Sequence, residues 1–124
     1  MKKLEFPALS STDVKAILAA FPLLAQTGLE RSPLQTSINM RFAESAGQKL
    51  LSGERNLSSD EAKVVCLSVL FARNCLSGNA LFSPDPETKA EISKYFFSYN
   101  KLAPAFDTIL GTLESSLSAP SPRT

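Results

Sequence analysis

The chain has 124 residues, of which 44% are hydrophobic and 20% charged, and its formal net charge is +1. This size and composition are typical of a single globular domain and exclude a disordered chain. The balanced charge provides no basic stripe for nucleic acid, and the absence of histidine removes the commonest metal ligand and general base.

Residues 1–10 show no helical spacing of apolar side chains, so we predict an extended N-terminal arm. The bundle domain is predicted at 11–117. Its first helix should run from about residue 12 to 27 and should kink or split at Pro22, because proline lacks the N–H that a helix interior uses. Gly28 is predicted to end this helix.

The apolar run at 16–25 is the stretch that most resembles a targeting segment. It is too short to span a bilayer, and Glu5 and Asp13 do not fit the basic start of a signal sequence. We therefore expect a cytoplasmic protein without a membrane contact.

A second helix is predicted after Ser32, with Pro33 as its first residue and Gly53 at its end. Ala43 and Gly47 are small enough to let another helix approach closely. Apolar side chains recur every fourth residue along a predicted core face, at Leu34, Ile38, Phe42, Ala46 and Leu50.

The third helix is predicted at 59–77. Ser58 and Glu61 have the spacing of a capping box at its start. The segment is apolar on almost every face, which predicts that it is the central helix of the bundle. Ser68, in its middle, is expected to bond back to the carbonyl of Val64.

The two cysteines, Cys66 and Cys75, both fall on this helix. Nine residues of helix separate them by roughly 13 Å on opposite faces, too far for a disulfide. We interpret them as free, buried small side chains, which fits a reducing compartment.

The last helical segment is predicted at 86–117, with Asp85 as its N-cap and Pro86 at its first position. It is either one helix kinked at Pro104 or two nearly collinear helices. Residues 118–124 are predicted to be a disordered tail. Apolar side chains recur in a heptad pattern straight through the proline, at Ile92, Phe96, Tyr99, Ala103, Phe106, Leu110, Leu113 and Leu117. Most of this stripe should pack on the 59–77 helix.

The far end of the stripe has two possible partners. A helix of that length reaches about 48 Å, which exceeds the width of a compact domain of this size, so its second half is expected to overhang or to fold back. An overhang would form a homodimer interface, and folding back would make the same side chains core. The candidate interface residues are Phe106, Ile109, Leu110, Leu113 and Leu117.

Phe97 projects away from the stripe. One interpretation is that Phe6 or Leu9 of the arm covers it. The other is that Phe97 is an interface anchor, because an aromatic residue within a polar rim is typical of binding hot spots.

The sequence contains no catalytic motif, nucleotide-binding loop or metal-ligand spacing, so no enzyme, cofactor or metal is expected. DNA binding is not favoured, because the apolar 59–77 helix has no polar face for bases. We predict an all-α, single-domain bundle of four to five helices that acts through protein–protein contact, with a second copy or a helical protein as partner. The alternative is a small apolar ligand in an internal pocket framed by phenylalanines, Ala43, Ala46 and Gly47.

Overall fold

The computed structural model describes residues 3–6, 9–26, 33–78 and 84–118. Helices dominate this part of the chain, which confirms the predicted all-α bundle. The elements, in order, are β1 Lys3–Glu5, α1 Ser11–Ala20, α2 Leu23–Gln26, α3 Pro33–Leu51, β2 Asn56–Ser58, α4 Ser59–Ser77, α5 Pro86–Ser93 and α6 Phe96–Ser118.

Helix α4 is the centre of the bundle, as its nearly continuous apolar surface predicted. It packs against α1, α2, α3, α5 and α6, and its most extensive contact is with α6. Val65, Cys66 and Val69 are completely buried. Ser68 also lies in this core, where its hydroxyl donates a 2.7 Å hydrogen bond to the Val64 carbonyl.

Both ends of α4 follow the sequence signals. Glu61 N donates to Ser58 Oγ at 3.2 Å, and Ser58 N donates to Glu61 Oε1 at 2.9 Å, which completes the predicted capping box. The helix ends at Gly78, whose φ of 77° is a conformation that glycine adopts without steric cost.

Pro22 divides the first predicted helix into two. Helix α1 begins with a capping box between Ser10 and Asp13 and ends at Ala20, and α2 starts after the turn at Phe21 and Pro22. The predicted end at Gly28 lies outside the described residues.

Helix α3 contacts the bundle through its small residues. A Cβ added to Gly47 would lie 2.7 Å from Leu18 Cδ2, so α1 and α3 are as close there as the sequence indicated. The predicted core face is wrong at its start, because Leu34 is 71% exposed. Burial begins only at Ala43, since the contact with the bundle uses the second half of α3.

The C-terminal segment is two helices, and the break is not at Pro104. Helix α5 is capped by Asp85, whose Oδ1 accepts a 2.7 Å hydrogen bond from Thr88 N. The chain turns at 94–95, and α6 then continues through Pro104 without interruption. Pro104 has no N–H to donate to the Asn100 carbonyl, and both Asn100 and Pro104 are exposed residues at the surface of α6.

The N-terminal arm forms a short ribbon that the apolar pattern did not indicate. Strand β1 pairs antiparallel with β2, with Leu4 opposite Leu57. The next residue, Phe6, donates its N–H to the Arg55 carbonyl at 2.9 Å and buries its ring in the core. Of the predicted tail, only Ser118 lies within the described residues.

Candidate contact surface at the start of α6

The predicted interface stripe is occupied by the chain itself. Phe106, Leu110 and Leu113 are buried in the core, and Ile109 is half-buried against it. The side chain of Leu117 lies outside the described residues. Because the chain turns before α6, this helix packs on α4, so the three buried side chains are part of the chain's own core and offer no free surface to a second copy.

Phe97 is the most exposed large apolar residue of the described part, at 87%. Neither Phe6 nor Leu9 covers it, so the interpretation that the N-terminal arm shields Phe97 is wrong. The arm places Phe6 on Phe106 instead, with ring centroids 5.2 Å apart. Phe97 contacts Phe96, which is 41% exposed, edge to face at 6.0 Å. We call Phe96 and Phe97 the aromatic pair.

The outward direction of Phe97 is set by its neighbour Tyr99. Tyr99 is completely buried, and its hydroxyl donates a 2.7 Å hydrogen bond to the Ala16 carbonyl of α1. Two residues correspond to about 200° of helix rotation, so anchoring Tyr99 inward turns Phe97 towards solvent. The heptad pattern placed Phe96 on the core stripe, but it lies at the first position of α6, where the bundle covers it only partly.

Two lysines flank the aromatic pair in the sequence, and among the described residues each has one carboxylate partner. Lys94 Nζ lies 3.2 Å from Glu91 Oε1 on the surface. Lys101 Nζ lies 3.0 Å from Oδ2 of Asp13, which is buried. Burial raises the pKa of Asp13, but hydrogen bonds from Lys101 and Ser10 outweigh it and hold that pKa below its ordinary value.

A polar cluster between α3 and α4 is the second concentration of charge. Glu61 accepts hydrogen bonds from Lys49 Nζ at 2.8 Å, from the Ser45 hydroxyl and from Ser58 N. Burial raises the pKa of Glu61, but these donors lower it to about 2. Glu61 is therefore ionised near neutral pH, and its oxygens accept hydrogen bonds from α3 and from the start of α4. This arrangement indicates a structural link between the two helices and not a group that transfers protons.

Neither thiol has the features of a nucleophile. Cys66 and Cys75 are both free, and Cys66 is buried. Burial raises the pKa of Cys66 to about 12 and raises that of Cys75 as well. Both remain protonated at neutral pH, so neither has the thiolate character of a nucleophile.

The position beside Gly47, one of the residues predicted to frame a pocket, is filled. Leu18 of α1 and Phe21 of the turn that follows lie where a side chain at Gly47 would be. An open groove of about 290 Å³ lies instead at the surface, between the end of the arm and the end of α3. Its lining residues are Leu9, Ser11, Val14, Lys15, Leu50, Leu51 and Gly53.

Among the described residues, no group of three or more acidic or cysteine side chains is placed to hold a metal ion. None of the helices in this part of the chain is both long and apolar enough to cross a bilayer.

Comparison with known proteins adds no family. Neither a scan against protein-family models nor searches of curated proteins and of solved structures found a match to this chain.

Proposed function

We propose that this chain is a non-catalytic protein that acts through contact with another protein, and that the aromatic pair is the centre of that contact. The observation that carries the proposal is the exposure of Phe97. A phenylalanine side chain is worth about 1.5–3 kcal/mol when it moves from water into a packed environment. A partner that covers Phe97 recovers this free energy.

Phe97 contributes little to the packing of the fold. Its ring contacts that of Phe96, while the core below is closed by Tyr99 and Phe106. Exposed aromatic side chains ringed by polar groups are typical of interface hot spots. Asn100 and Lys101, which follow Phe97 by three and four residues on α6 and are both exposed, supply such a rim.

A second copy of the chain is one candidate partner for this surface, because Phe106, Leu110 and Leu113 of the C-terminal stripe are buried in the core. The two free thiols favour a reducing compartment, so we place the contact in the cytoplasm.

Site-specific photo-crosslinking in the cells that express the protein tests the proposal. A benzophenone amino acid replaces Ser93, an exposed residue four positions before Phe97, and covalent adducts are compared in three backgrounds. We expect a discrete adduct with the native aromatic pair and its loss in Phe97→Ser. Leu34→Ser is the matched control, because it removes a similarly exposed apolar side chain from α3.

Thermal unfolding of each variant accompanies the crosslinking, so that loss of fold is recognised. Phe97→Ser should unfold at the same temperature as the parent protein. An adduct that persists in Phe97→Ser, or no adduct in any background, contradicts the proposal.

A further inference from the structure

We infer that Asp13 and Lys101 form a clasp between α1 and α6, and that acylation of the Lys101 amine opens it. Asp13 lies in the first turn of α1, and Lys101 lies on α6, 88 residues further along the chain. The clasp does not depend on whether the aromatic pair has a partner, so its test is separate from that of the proposed function.

The two ends of the clasp differ in their access to solvent. The side chain of Lys101 is 63% exposed, whereas that of Asp13 is only 4% exposed. A modifying enzyme or reagent can therefore reach the ammonium group but not the carboxylate. When the charge of Lys101 is removed, the charge of Asp13 stays inside the protein.

The carboxylate of Asp13 has few partners besides Lys101. Its Oδ2 atom accepts hydrogen bonds from Lys101 Nζ at 3.0 Å and from Ser10 N at 3.1 Å. Its buried Oδ1 atom accepts none from the described residues. A buried carboxylate destabilises a fold unless a cation and hydrogen-bond donors compensate it, and Lys101 supplies the cation here.

Two other ion pairs show what is particular to this one. Lys94 is also 63% exposed, but its partner Glu91 is 49% exposed, so water solvates Glu91 when the pair is lost. Lys49 has a buried partner in Glu61, but that carboxylate keeps two serine donors when Lys49 is lost. Lys101 combines an exposed amine with a buried acid that has little else to compensate it.

Acylation by an acyl thioester removes the charge of Lys101. The ammonium group loses a proton to water, and the amine attacks the carbonyl carbon of the thioester. A carbon–nitrogen bond forms, the carbon–sulfur bond breaks, and the sulfur leaves as a thiol with a second proton. The product is a neutral amide with one N–H in place of a cation with three. Asp13 is then buried without a cation, which weakens the contact between α1 and α6.

A second link holds the same two helices when the clasp is open. The Tyr99 hydroxyl donates a buried 2.7 Å hydrogen bond to the carbonyl of Ala16, three residues after Asp13 on α1. Neither group carries a charge that acylation of Lys101 removes. We therefore expect the start of α6 to loosen while the bundle stays folded.

Incorporation of Nε-acetyllysine at position 101 of the full chain, by suppression of an amber codon, tests the clasp. We expect the midpoint of thermal unfolding to fall by about 5–10 °C, because a buried charge loses its partner. The amides of residues 99–103 should exchange with deuterium about tenfold faster. Acetyllysine at position 94 is the matched control, and it should move the midpoint by less than about 1 °C.

Asp13→Asn identifies the carboxylate as the cause. Asparagine keeps an oxygen that can accept from Ser10 N but carries no charge. In this background, acetyllysine at position 101 should shift the midpoint by about a third or less of its shift in the parent chain, because the two changes act on one pair.

Equal shifts from acetyllysine at positions 101 and 94 overturn the clasp, and so does a shift at position 101 that Asp13→Asn leaves undiminished. If the parent chain with acetyllysine at position 101 does not fold, the Asp13→Asn background decides the question. Recovery of the fold there supports the clasp, and failure to fold there overturns it.

Discussion

The Tyr99 hydroxyl and the Ala16 carbonyl, separated by 83 residues in the chain, are joined by a buried 2.7 Å hydrogen bond. The bond fixes α6 against α1 at the level of the aromatic pair. Burial is the main cause that raises the pKa of Tyr99 above its ordinary value, and the nearby Tyr95 and Glu91 raise it further. The hydroxyl therefore remains a proton donor throughout the physiological range.

Tyr99→Phe removes this bond while keeping the ring in place. We expect the free energy of unfolding in urea to fall by about 0.5–1.5 kcal/mol, the usual net contribution of a hydrogen bond. Tyr95→Phe is the matched control, since Tyr95 is only half-buried, and it should change stability by less than about 0.5 kcal/mol. Equal effects of the two substitutions would contradict a specific role for the Tyr99 hydroxyl.

Glu61 makes the stability of the fold depend on pH. Its pKa is about 2 in the folded chain against an ordinary 4.5, so its contribution is fully present above pH 4.5 and is lost as pH falls towards 2. We expect the free energy of unfolding to drop by about 2–4 kcal/mol over that window because of this group. Urea titrations at several pH values measure the drop.

Glu61→Gln should flatten that pH profile. The variant should be less stable than the parent protein at pH 7, and the difference should narrow as pH approaches 2. Glu44→Gln, at an exposed glutamate of α3, should leave the profile unchanged. A parallel profile for Glu61→Gln and the parent protein would remove Glu61 as its source.

Local signals in the sequence predicted the helices well. The Ser58–Glu61 capping box and the prolines at helix starts act within one or two turns, so their energetics are contained in neighbouring residues. The all-round apolar pattern of 59–77 likewise required burial on every side, and α4 is central for that reason. The close helix contact at Gly47 was also predictable from the sequence, because a residue without a side chain permits close packing whichever helix lies against it.

The break between α5 and α6 could not be predicted in the same way. Pro104 was the visible helix breaker, yet the turn falls at 94–95, where no glycine or proline marks it. Tertiary packing decides the position, since α5 packs on α1 whereas α6 packs chiefly on α4. The same turn converts Phe106 from a candidate interface residue into core and leaves Phe96 partly exposed.

Two helical glycines should respond oppositely to a larger side chain. Gly111 lies on the exposed face of α6, and apart from its chain neighbours and the backbone of its own helix no described atom lies within 4 Å of an added Cβ. Gly111→Ala should therefore raise the free energy of unfolding by about 0.5–1 kcal/mol through helix propensity.

Gly47→Leu should instead lower the free energy of unfolding by about 1–3 kcal/mol, because its added atoms meet Leu18 and Phe21 between α1 and α3. Chemical denaturation of both variants measures the contrast. If Gly47→Leu is as stable as the parent protein, the helices are not in close contact there.

The rings of Phe6 and Phe106 should be energetically coupled across the core. Their centroids are 5.2 Å apart at an interplanar angle of 60°, and both side chains are buried. Each single substitution to alanine should cost about 3–5 kcal/mol. In a double-mutant cycle the two losses should fall short of additivity by about 0.5–1.5 kcal/mol, the range for aromatic pairs.

Phe97→Ala provides the contrast that separates core from contact surface. It removes a ring of the same size from the same helix as Phe106, but that ring lies in solvent. We expect its free energy of unfolding to stay within about 0.5 kcal/mol of the parent value. A loss comparable to that of Phe106→Ala would mean that Phe97 is packed within the fold, and the aromatic pair would then have no free ring to offer a partner.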